Sequence, residues 1–294
     1  MSLVTITSML NHARKEKYAV GAFDVSNHDM ALAVIEAAEE KKSPVILMGL
    51  GVDLAGDRLE YWITGLRKMA ERAAVPVCIH LDHAADFNFI KRCVDVGFTS
   101  VMFDGSTLPL EENISKTKAV VEYAHKFGVS VEAELGHVGD GIVGNSETGT
   151  VRKNGFDKPE DFLTNPQELK YFVDATQVDC IAVAVGTAHG IYVYEPKIDF
   201  VRLAELQKAA AVPMVMHGGS GTPDDLIRKS VEHGICKLNI FSEMLAAFYG
   251  SMKNELDNAK HLSIWPHTAN EKPIKALQEV VRKKMELLGS VGKA

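Results

Sequence analysis

The chain has 294 residues, of which 46% are hydrophobic and 24% charged, as is typical of a globular protein. A net charge of −7 argues against broad electrostatic attraction to nucleic acid or an anionic membrane, so a phosphate would have to be bound locally. We find no apolar run of about 18 residues and no N-terminal signal core, which predicts a protein without a membrane partner. The cysteines form no CxxC pair, which favours reduced thiols and a cytoplasmic location.

Eight short apolar runs alternate with longer amphipathic stretches along the chain. In order, the runs begin at Tyr18, Ser43, Val75, Thr99, Val129, Asp179, Val212 and Cys236. Their nearly continuous apolarity, rich in Val and Ile, is typical of strands that are buried on both faces. The stretches between them, such as NHDMALAVIEAAEEKK, have helical periodicity. Eight such units predict an α/β fold, a (β/α)8 TIM barrel, and the lack of a GxGxxG turn after the first strand disfavours a doubly wound sheet.

No stretch of the chain resembles a linker between domains, so we expect a single barrel domain over residues 1–294. Residues 137–162, between the fifth strand and its helix, are rich in glycine and polar side chains. A connection of this length is usually functional or mobile, which predicts a mobile lid there. The pattern after the eighth unit predicts an extra C-terminal helix at about 270–288.

Polar residues interrupt the apolar runs at the carboxyl ends of the predicted strands. They are Asp24, Asp82, His83, Asp104, Glu132, Glu134, His189, His217 and Asn239. In a barrel these strand ends meet at one mouth, where active sites are built. His83, His189 and His217 could therefore share one centre, and three imidazoles with an open fourth position are typical ligands of a catalytic zinc ion. A lone histidine at a strand end is more often only hydrogen bonded. His80 is expected on the other side of its strand, as a residue of the core or one that supports the site from behind.

The stretch HGGSGTPDDL, which begins at His217, has the composition of a phosphate-binding loop. Glycines let backbone amides approach an anion, and a helix N-terminus that follows supplies more N–H groups. In barrels of this kind, the loops after strands seven and eight commonly bind phosphate. A simple turn with a helix cap is the alternative, but the neighbouring KLNIFSE stretch favours phosphate.

The motifs IHLDHA, VEAELG, GTAHGIY, PMVMHGGSG and KLNI, in this order and spacing, resemble those of the class II, metal-dependent ketose-bisphosphate aldolases. The resemblance extends from about Val4 to the C-terminal GSVGKA. The family includes fructose- and tagatose-bisphosphate aldolases, lyases of carbohydrate metabolism and glycolysis. The resemblance implies reversible cleavage of a ketose (bis)phosphate to dihydroxyacetone phosphate and an aldehyde. It also implies a catalytic Zn²⁺, a monovalent cation (Na⁺ or K⁺) near the phosphate, and a homodimer or homotetramer.

The resemblance also implies roles for individual residues. Asp82 matches the acid/base that moves the proton of the C4 hydroxyl, and a lid acid, either Asp140 or Glu147, would move the C3 proton. The residues that match metal ligands or lie beside the metal are His83, His189, His217, Asp104 and Glu134. The residues that match the dihydroxyacetone phosphate site are Gly190, Gly218, Gly219, Ser220, Asn239 and Ser242. Asp24 stands where the first strand of the family commonly has asparagine.

Several positions depart from the family pattern. A phosphate-binding lysine of the family is replaced by Val193, and the eighth strand ends in NIFS, with Phe241 before Ser242. An arginine that meets the distal phosphate in some members is absent, and Lys272 or Lys275 stands nearby. These departures predict that the preferred substrate is not fructose 1,6-bisphosphate. The alternatives are tagatose bisphosphate, a deoxy-keto-gluconate phosphate or another modified ketose 1-phosphate.

Two further functions stay open from the sequence. Three histidines and a carboxylate could also activate water, as in a metal-dependent hydrolase. A non-catalytic aldolase-like subunit is the other alternative, although the intact histidines and Asp82 disfavour it.

Overall fold

A computed structural model describes residues 2–140, 162–190, 192 and 195–294, with only the backbone of Asp140. Eight parallel strands form a closed barrel, and neighbouring strands follow the chain order around it. The barrel strands are β1 (Val20–Asp24), β2 (Val45–Leu50), β3 (Val77–Asp82), β4 (Ser100–Phe103), β5 (Ser130–Leu135), β7 (Cys180–Val183), β9 (Met214–Met216) and β10 (Ile235–Ile240). The two-residue strands β6 (Gly139–Asp140) and β8 (Ala188–His189) pair with each other. The predicted (β/α)8 barrel is thus confirmed.

Helices cover the outside of the barrel and close its base. They are α1 (Ile6–Glu16), α2 (His28–Lys41), α3 (Arg58–Arg72), α4 (Phe87–Val96), α5 (Leu110–Ala124), α6 (Pro166–Thr176), α7 (Phe200–Ala209), α8 (Asp224–Glu232), α9 (Ser242–Asp257) and α10 (Pro266–Leu287). Local signals set their ends. For example, Asp86 accepts a hydrogen bond from Asn88 N where α4 begins, and Gly97, at φ +107°, ends that helix.

Two apolar cores fill the molecule. The larger core lies between strands and helices, as expected for parallel strands that are covered on their outer faces. The smaller core joins the buried face of α1, including Ile6 and Leu10, to inward side chains such as Ile46, Cys78 and Val215. Because α1 closes the N-terminal end of the barrel, the open end is the one at which the polar strand termini meet.

The barrel closes between its first and last strands, where Val20 pairs with Lys237 and Phe23 with Ile240. The long helix α10 packs against α2 and α9 and extends back to β1, and Ala19 N donates a hydrogen bond to Leu288 O. In the described part of the chain, we find no helix long and apolar enough to cross a membrane. Most of the predicted lid, residues 141–161, lies outside the described residues.

Candidate active site

Three imidazole rings from three strand ends meet at the mouth of the barrel. Nε2 of His83 lies 3.2 Å from Nε2 of His189 and 2.8 Å from Nδ1 of His217. The third side of this triangle, from His189 Nε2 to His217 Nδ1, is 3.3 Å. All three residues are nearly or fully buried. The predicted convergence of these side chains is therefore observed, over sequence separations of 28 to 134 residues.

Carboxylates on the far side of two rings determine which nitrogen faces the centre of the triangle. Nδ1–H of His83 donates to Asp104 Oδ2 at 3.0 Å, and Nε2–H of His217 donates to Glu132 Oε1 at 2.9 Å. In the neutral rings, the lone pairs of His83 Nε2 and His217 Nδ1 then face each other. Two facing lone pairs at this distance repel unless a positive charge lies between them. This donor arrangement fits a divalent metal ion, and tetrahedral Zn–N bonds of about 2.0–2.1 Å would separate the nitrogens by roughly 3.3 Å.

His83 combines an uncommon backbone conformation with a strongly perturbed pKa. Its φ of +35° places a non-glycine residue in the left-handed region directly after β3, an uncommon conformation that occurs preferentially at functional sites. Burial opposes its protonation, but the carboxylates of Asp82 and Asp104 outweigh burial and raise the pKa of His83 well above its ordinary value. Burial and the neighbouring rings lower the pKa of His189 well below its ordinary value. In the metal-free protein the site thus favours one positive charge at its centre, a proton on His83 that a bound metal ion would displace, and it keeps His189 neutral.

Asp82 ends β3 and points into the same site. Its Oδ1 accepts a hydrogen bond of 3.1 Å from Asn239 Nδ2, although the two residues are 157 positions apart. Burial raises the pKa of this carboxyl, but the nearby charges of His83, His217 and Lys237 outweigh burial and lower the pKa below its ordinary value. An ionised carboxylate beside the imidazoles can accept a proton from a bound hydroxyl group.

A second group of possible ligands shares His83 with the first. Ligand atoms of His83, Asp104 and Glu134 all lie within 4.8 Å of one another. Burial, together with the carboxylate of Asp104, raises the pKa of Glu134 well above its ordinary value. Glu134 Oε1 accepts a hydrogen bond from Val138 N, whereas its buried Oε2 has no hydrogen-bond partner in the described part of the chain. A cation beside Glu134 would compensate this carboxylate, so the residue fits a position next to a metal.

The loops after β9 and β10 are joined at the predicted phosphate site. Gly219 N donates to Asn239 O, and Ser220 Oγ accepts hydrogen bonds from Phe241 N at 3.1 Å and from Glu243 N at 3.2 Å. Ser242, the first residue of α9, lies between these two amides. Gly218 has a φ of +72° that favours glycine. The two loops therefore form one rim of the mouth, next to His217.

Other predicted residues differ in how far the structure describes them. Gly190 has a φ of +75°, and a Cβ built there would meet no atom within 4 Å among the described residues. Asp24 ends β1 and is 2% exposed. The backbone of Asp140 pairs with His189, while its side chain lies outside the described residues. Glu147 and Val193 also lie outside them.

Sequence reasoning missed part of the environment of the histidines. His80 is buried beside the site, as expected, but the predicted side of its strand is wrong: residues i and i+2 of a strand share a face, so His80 points into the barrel like Asp82, and its Nε2 lies 3.6 Å from Glu132 Oε2. Glu132 and Lys237 form a buried ion pair of 2.9 Å beneath the site. Glu132 was already among the polar residues predicted at the strand ends, but its pairing with Lys237 was not predicted. The signal for Lys237 is its place two positions before Asn239, just as Glu132 precedes Glu134.

A parallel barrel whose mouth gathers three imidazoles and an ionised aspartate has the architecture of barrel enzymes that act with a bound divalent ion. The comparisons with known proteins then narrow this class. The profile of the family described as class-II fructose-bisphosphate aldolase matches residues 4–293. The chain therefore belongs to the class II fructose-bisphosphate aldolase family, an assignment that confirms the predicted resemblance.

Solved structures agree with this assignment. The YdjI aldolase from Escherichia coli K12 is 33% identical, with a TM-score of 0.85 and 99% of each chain covered. A putative fructose-1,6-biphosphate aldolase from Coccidioides immitis is 29% identical, with a TM-score of 0.83 and coverage of 98% of this chain and 97% of that one. The fructose-bisphosphate aldolase from Campylobacter jejuni, 23% identical over 100% of this chain and 97% of its own, shows the same fold at a TM-score of 0.81. The protein is an enzyme of the aldolase type, a lyase.

Proposed function

We propose that the protein catalyses the metal-dependent, reversible aldol cleavage of a ketose 1-phosphate to dihydroxyacetone phosphate and an aldehyde. The observation that carries this proposal is the convergence of His83, His189 and His217 within 3.3 Å of one another, beside the buried carboxylate of Asp82. Zn²⁺ suits three imidazole ligands and leaves a position open for substrate oxygens. When bound, the ion would supply positive charge to stabilise the negative charge that develops on the carbonyl oxygen.

The proton transfers are assigned to carboxylates around the histidines. Asp82 would accept the proton of the C4 hydroxyl as the carbon–carbon bond breaks and return it in the condensation direction. Its hydrogen bond from Asn239 and the nearby positive charges support an ionised resting state. Glu134 and Asp104 would lie beside the metal. Asp140 or Glu147 would move the proton at C3.

The dihydroxyacetone phosphate portion would bind along the joined rim. We assign its phosphate to the loops that contain Gly218, Gly219, Ser220 and Ser242, with a monovalent cation nearby, and its oxygens to Gly190 and Asn239. Positive φ at Gly218 and Gly190 supports a close approach of ligand to backbone at these two glycines. The net charge of −7 makes such a local site necessary, because the molecule as a whole does not attract anions.

The far end of the substrate is proposed to differ from that of fructose 1,6-bisphosphate. Asp24 adds a buried carboxylate at the end of β1 where asparagine is common, and a carboxylate disfavours an anion close to it. Lys272, which stands near the position of the missing arginine, pairs with Glu255 at 2.8 Å. We therefore favour a modified ketose 1-phosphate without an anionic far end. Tagatose bisphosphate carries the same distal phosphate as fructose 1,6-bisphosphate and a deoxy-keto-gluconate phosphate ends in a carboxylate, so the argument from Asp24 favours neither of them.

A condensation screen tests this function directly. Purified, zinc-loaded protein is incubated with dihydroxyacetone phosphate and a panel of aldehydes, and the products are identified by mass spectrometry. We expect a ketose 1-phosphate product that disappears after chelation and returns with Zn²⁺. Stoichiometric zinc without condensation for any aldehyde would contradict the proposal and favour a non-catalytic subunit. Turnover of fructose bisphosphate at ordinary enzyme rates of about 1–10³ s⁻¹ would contradict only the proposal that the substrate differs from fructose bisphosphate, and the aldol function would stand.

We propose a homodimer or homotetramer, tested by light scattering of the eluting protein, and a monomer at micromolar concentration would contradict it. Four free, buried cysteines support a reducing compartment such as the cytoplasm. We also propose that the chain forms one barrel domain with residues 137–162 as its lid, which limited proteolysis would test by cleavage confined to the lid.

A further inference from the structure

Lys237 is a buried cation directly beneath the candidate active site. It lies on β10, two residues before Asn239, and its side chain is fully buried inside the barrel. Its Nζ lies 2.9 Å from Glu132 Oε2 and 2.7 Å from Asn239 Oδ1. Desolvating a lysine and a glutamate costs free energy that their mutual attraction does not reliably recover. Stability alone therefore explains this pair poorly, and its neighbours suggest another role.

The first consequence concerns Asn239. A lysine ammonium group only donates hydrogen bonds, so the Asn239 atom that faces it must be the carbonyl oxygen Oδ1. The amide nitrogen Nδ2 then points the other way, towards Asp82 Oδ1 at 3.1 Å. If the amide were reversed, oxygen would face the Asp82 carboxylate and nitrogen would face the ammonium group. Lys237 thus allows only one orientation of this amide.

The second consequence concerns His217. Glu132 uses Oε2 for Lys237 and Oε1 for Nε2–H of His217, at 2.9 Å in both cases. Both oxygens are completely buried, so the carboxylate has no solvent to compensate its charge. Lys237 can only donate hydrogen bonds, so Oε2 of Glu132 accepts from it, and Oε1 is left to accept from Nε2–H of His217. That acceptor fixes the His217 tautomer whose Nδ1 lone pair faces the other histidines.

We propose that Lys237 is a positioning residue that orients Asn239 directly and His217 through Glu132. Its role extends to Asp82, which takes its hydrogen bond from the oriented amide of Asn239. The kinetic part of this inference rests on the proposed aldol function, whereas the metal-binding part does not. Neither part requires Lys237 to touch the substrate.

The first experiment measures Zn²⁺ affinity of metal-free protein by competition with a chelator. Lys237→Met removes the ammonium group and keeps an unbranched side chain, so we expect affinity to fall by about 10–100-fold, as for other partners of metal-bound histidines. Lys284→Met is the matched control, because Lys284 is also nearly buried and pairs with Glu243 at 2.7 Å, outside the histidine cluster. Its Zn²⁺ affinity should equal that of the wild type. Equal affinities for all three proteins would overturn the inference, whether or not the wild type is an aldolase.

The double variant Glu132→Gln/Lys237→Met separates positioning from simple charge compensation. It buries no unpaired charge, so it should fold even where the single variant does not. The introduced amide oxygen can still accept Nε2–H of His217, so we expect Zn²⁺ affinity close to that of the wild type. With zinc bound, kcat of the double variant should be about 10–100-fold below that of the wild type, because the hydrogen bond from Lys237 that orients Asn239 is missing. Full recovery of kcat would show that Lys237 only compensates Glu132, which would overturn its role in orienting Asn239.

Discussion

At the scale of single residues, Asp82 gives the sharpest test of the proposed chemistry. Asp82→Asn removes the proton acceptor but keeps the size of the side chain, so we expect kcat to fall by about 10²–10⁴-fold. Zinc content should not change, because the three histidines remain. Asp86→Asn, four residues later, is the control, since asparagine caps α4 as well as the exposed aspartate does. Wild-type kcat in Asp82→Asn would assign the proton transfer to another group.

His80 predicts a pH dependence of stability. Burial, with Lys237 nearby, lowers its pKa from 6.5 to about 3, so the folded protein holds this ring neutral while the unfolded chain protonates below about pH 6.5. Above about pH 6.5 this histidine therefore does not reduce the free energy of unfolding. As the pH falls from 6.5 towards 3, the unfolded chain gains a proton that the folded protein does not bind, and the free energy of unfolding decreases. His80 should contribute about 2 kcal/mol to the stability lost between pH 7 and pH 5.

Urea unfolding of metal-free protein at pH 7 and pH 5 measures this contribution. The variant His80→Gln can still bond to Ser100, which lies 2.8 Å from His80 Nδ1, but does not titrate. The loss of stability between the two pH values should be smaller in the variant by that amount. An identical loss in both proteins would mean that His80 is protonated in the folded state.

The residues of the site differ in how far the sequence could predict them. Asp82, His83 and His217 were predictable, because each ends an apolar run and because such ends meet in a barrel, whereas His189 stands six residues beyond the end of β7, in β8. The tautomers of the histidines were not, since they depend on Glu132, which contacts His217 across the barrel. Such contacts depend on strand register and on the tilt of strands in the closed barrel, which local patterns do not contain.

At the scale of elements, the loop between β9 and α8 depends on a glycine conformation. A Cβ at Gly218 would overlap the carbonyl oxygen of Ala188, and its φ of +72° adds left-handed strain. Because Ala188 and His189 form β8, Gly218→Ala should push on a histidine of the site. We expect a loss of stability above the cost of about 1–2 kcal/mol for the left-handed backbone alone, together with weaker Zn²⁺ binding.

The variant Gly128→Ala measures the cost of left-handed backbone alone, without overlap with a neighbouring atom. Gly128 has a φ of +69° and lies on the surface after α5, where no atom of the described chain comes within 4 Å of a built Cβ. Chemical denaturation measures the loss of stability in both variants, and zinc titration then measures their affinity for the metal. If Gly128→Ala and Gly218→Ala lose equal stability and both retain zinc affinity, the overlap with Ala188 is unimportant.

Elements with strong periodicity were predictable, and the short or polar ones were not. The eight barrel strands followed from apolar runs, whereas β6 and β8, with two residues each, are too short to have a period. The last helix begins at Pro266, before the predicted start at about 270. Its first turn, PHTA, is mostly polar and has no apolar face, so hydrophobic periodicity did not reveal this start. Pairing of β6 with β8 depends on two chain segments that are 49 residues apart.

At the scale of the whole molecule, metal binding should stabilise the folded state. A ligand that binds only the native protein adds about 2.7 kcal/mol at a free concentration of 100 times its Kd. Urea unfolding with and without buffered Zn²⁺ should show this shift for the wild type and no shift for His189→Ala, which removes one of three ligands. A curve unaffected by zinc in the wild type would contradict a metal site at the histidines.

Closure of the barrel also constrains how the protein is made. β1 pairs with β10, so the sheet cannot close until residue 240 has left the ribosome. At about 5–20 residues per second, a nascent chain that already contains β1 waits roughly 10–45 s for its partner strand. During that interval the growing sheet keeps two open edges, which can pair with other chains. We expect newly synthesised protein to depend on chaperones, and slower translation of the last 60 or so residues to increase its aggregation.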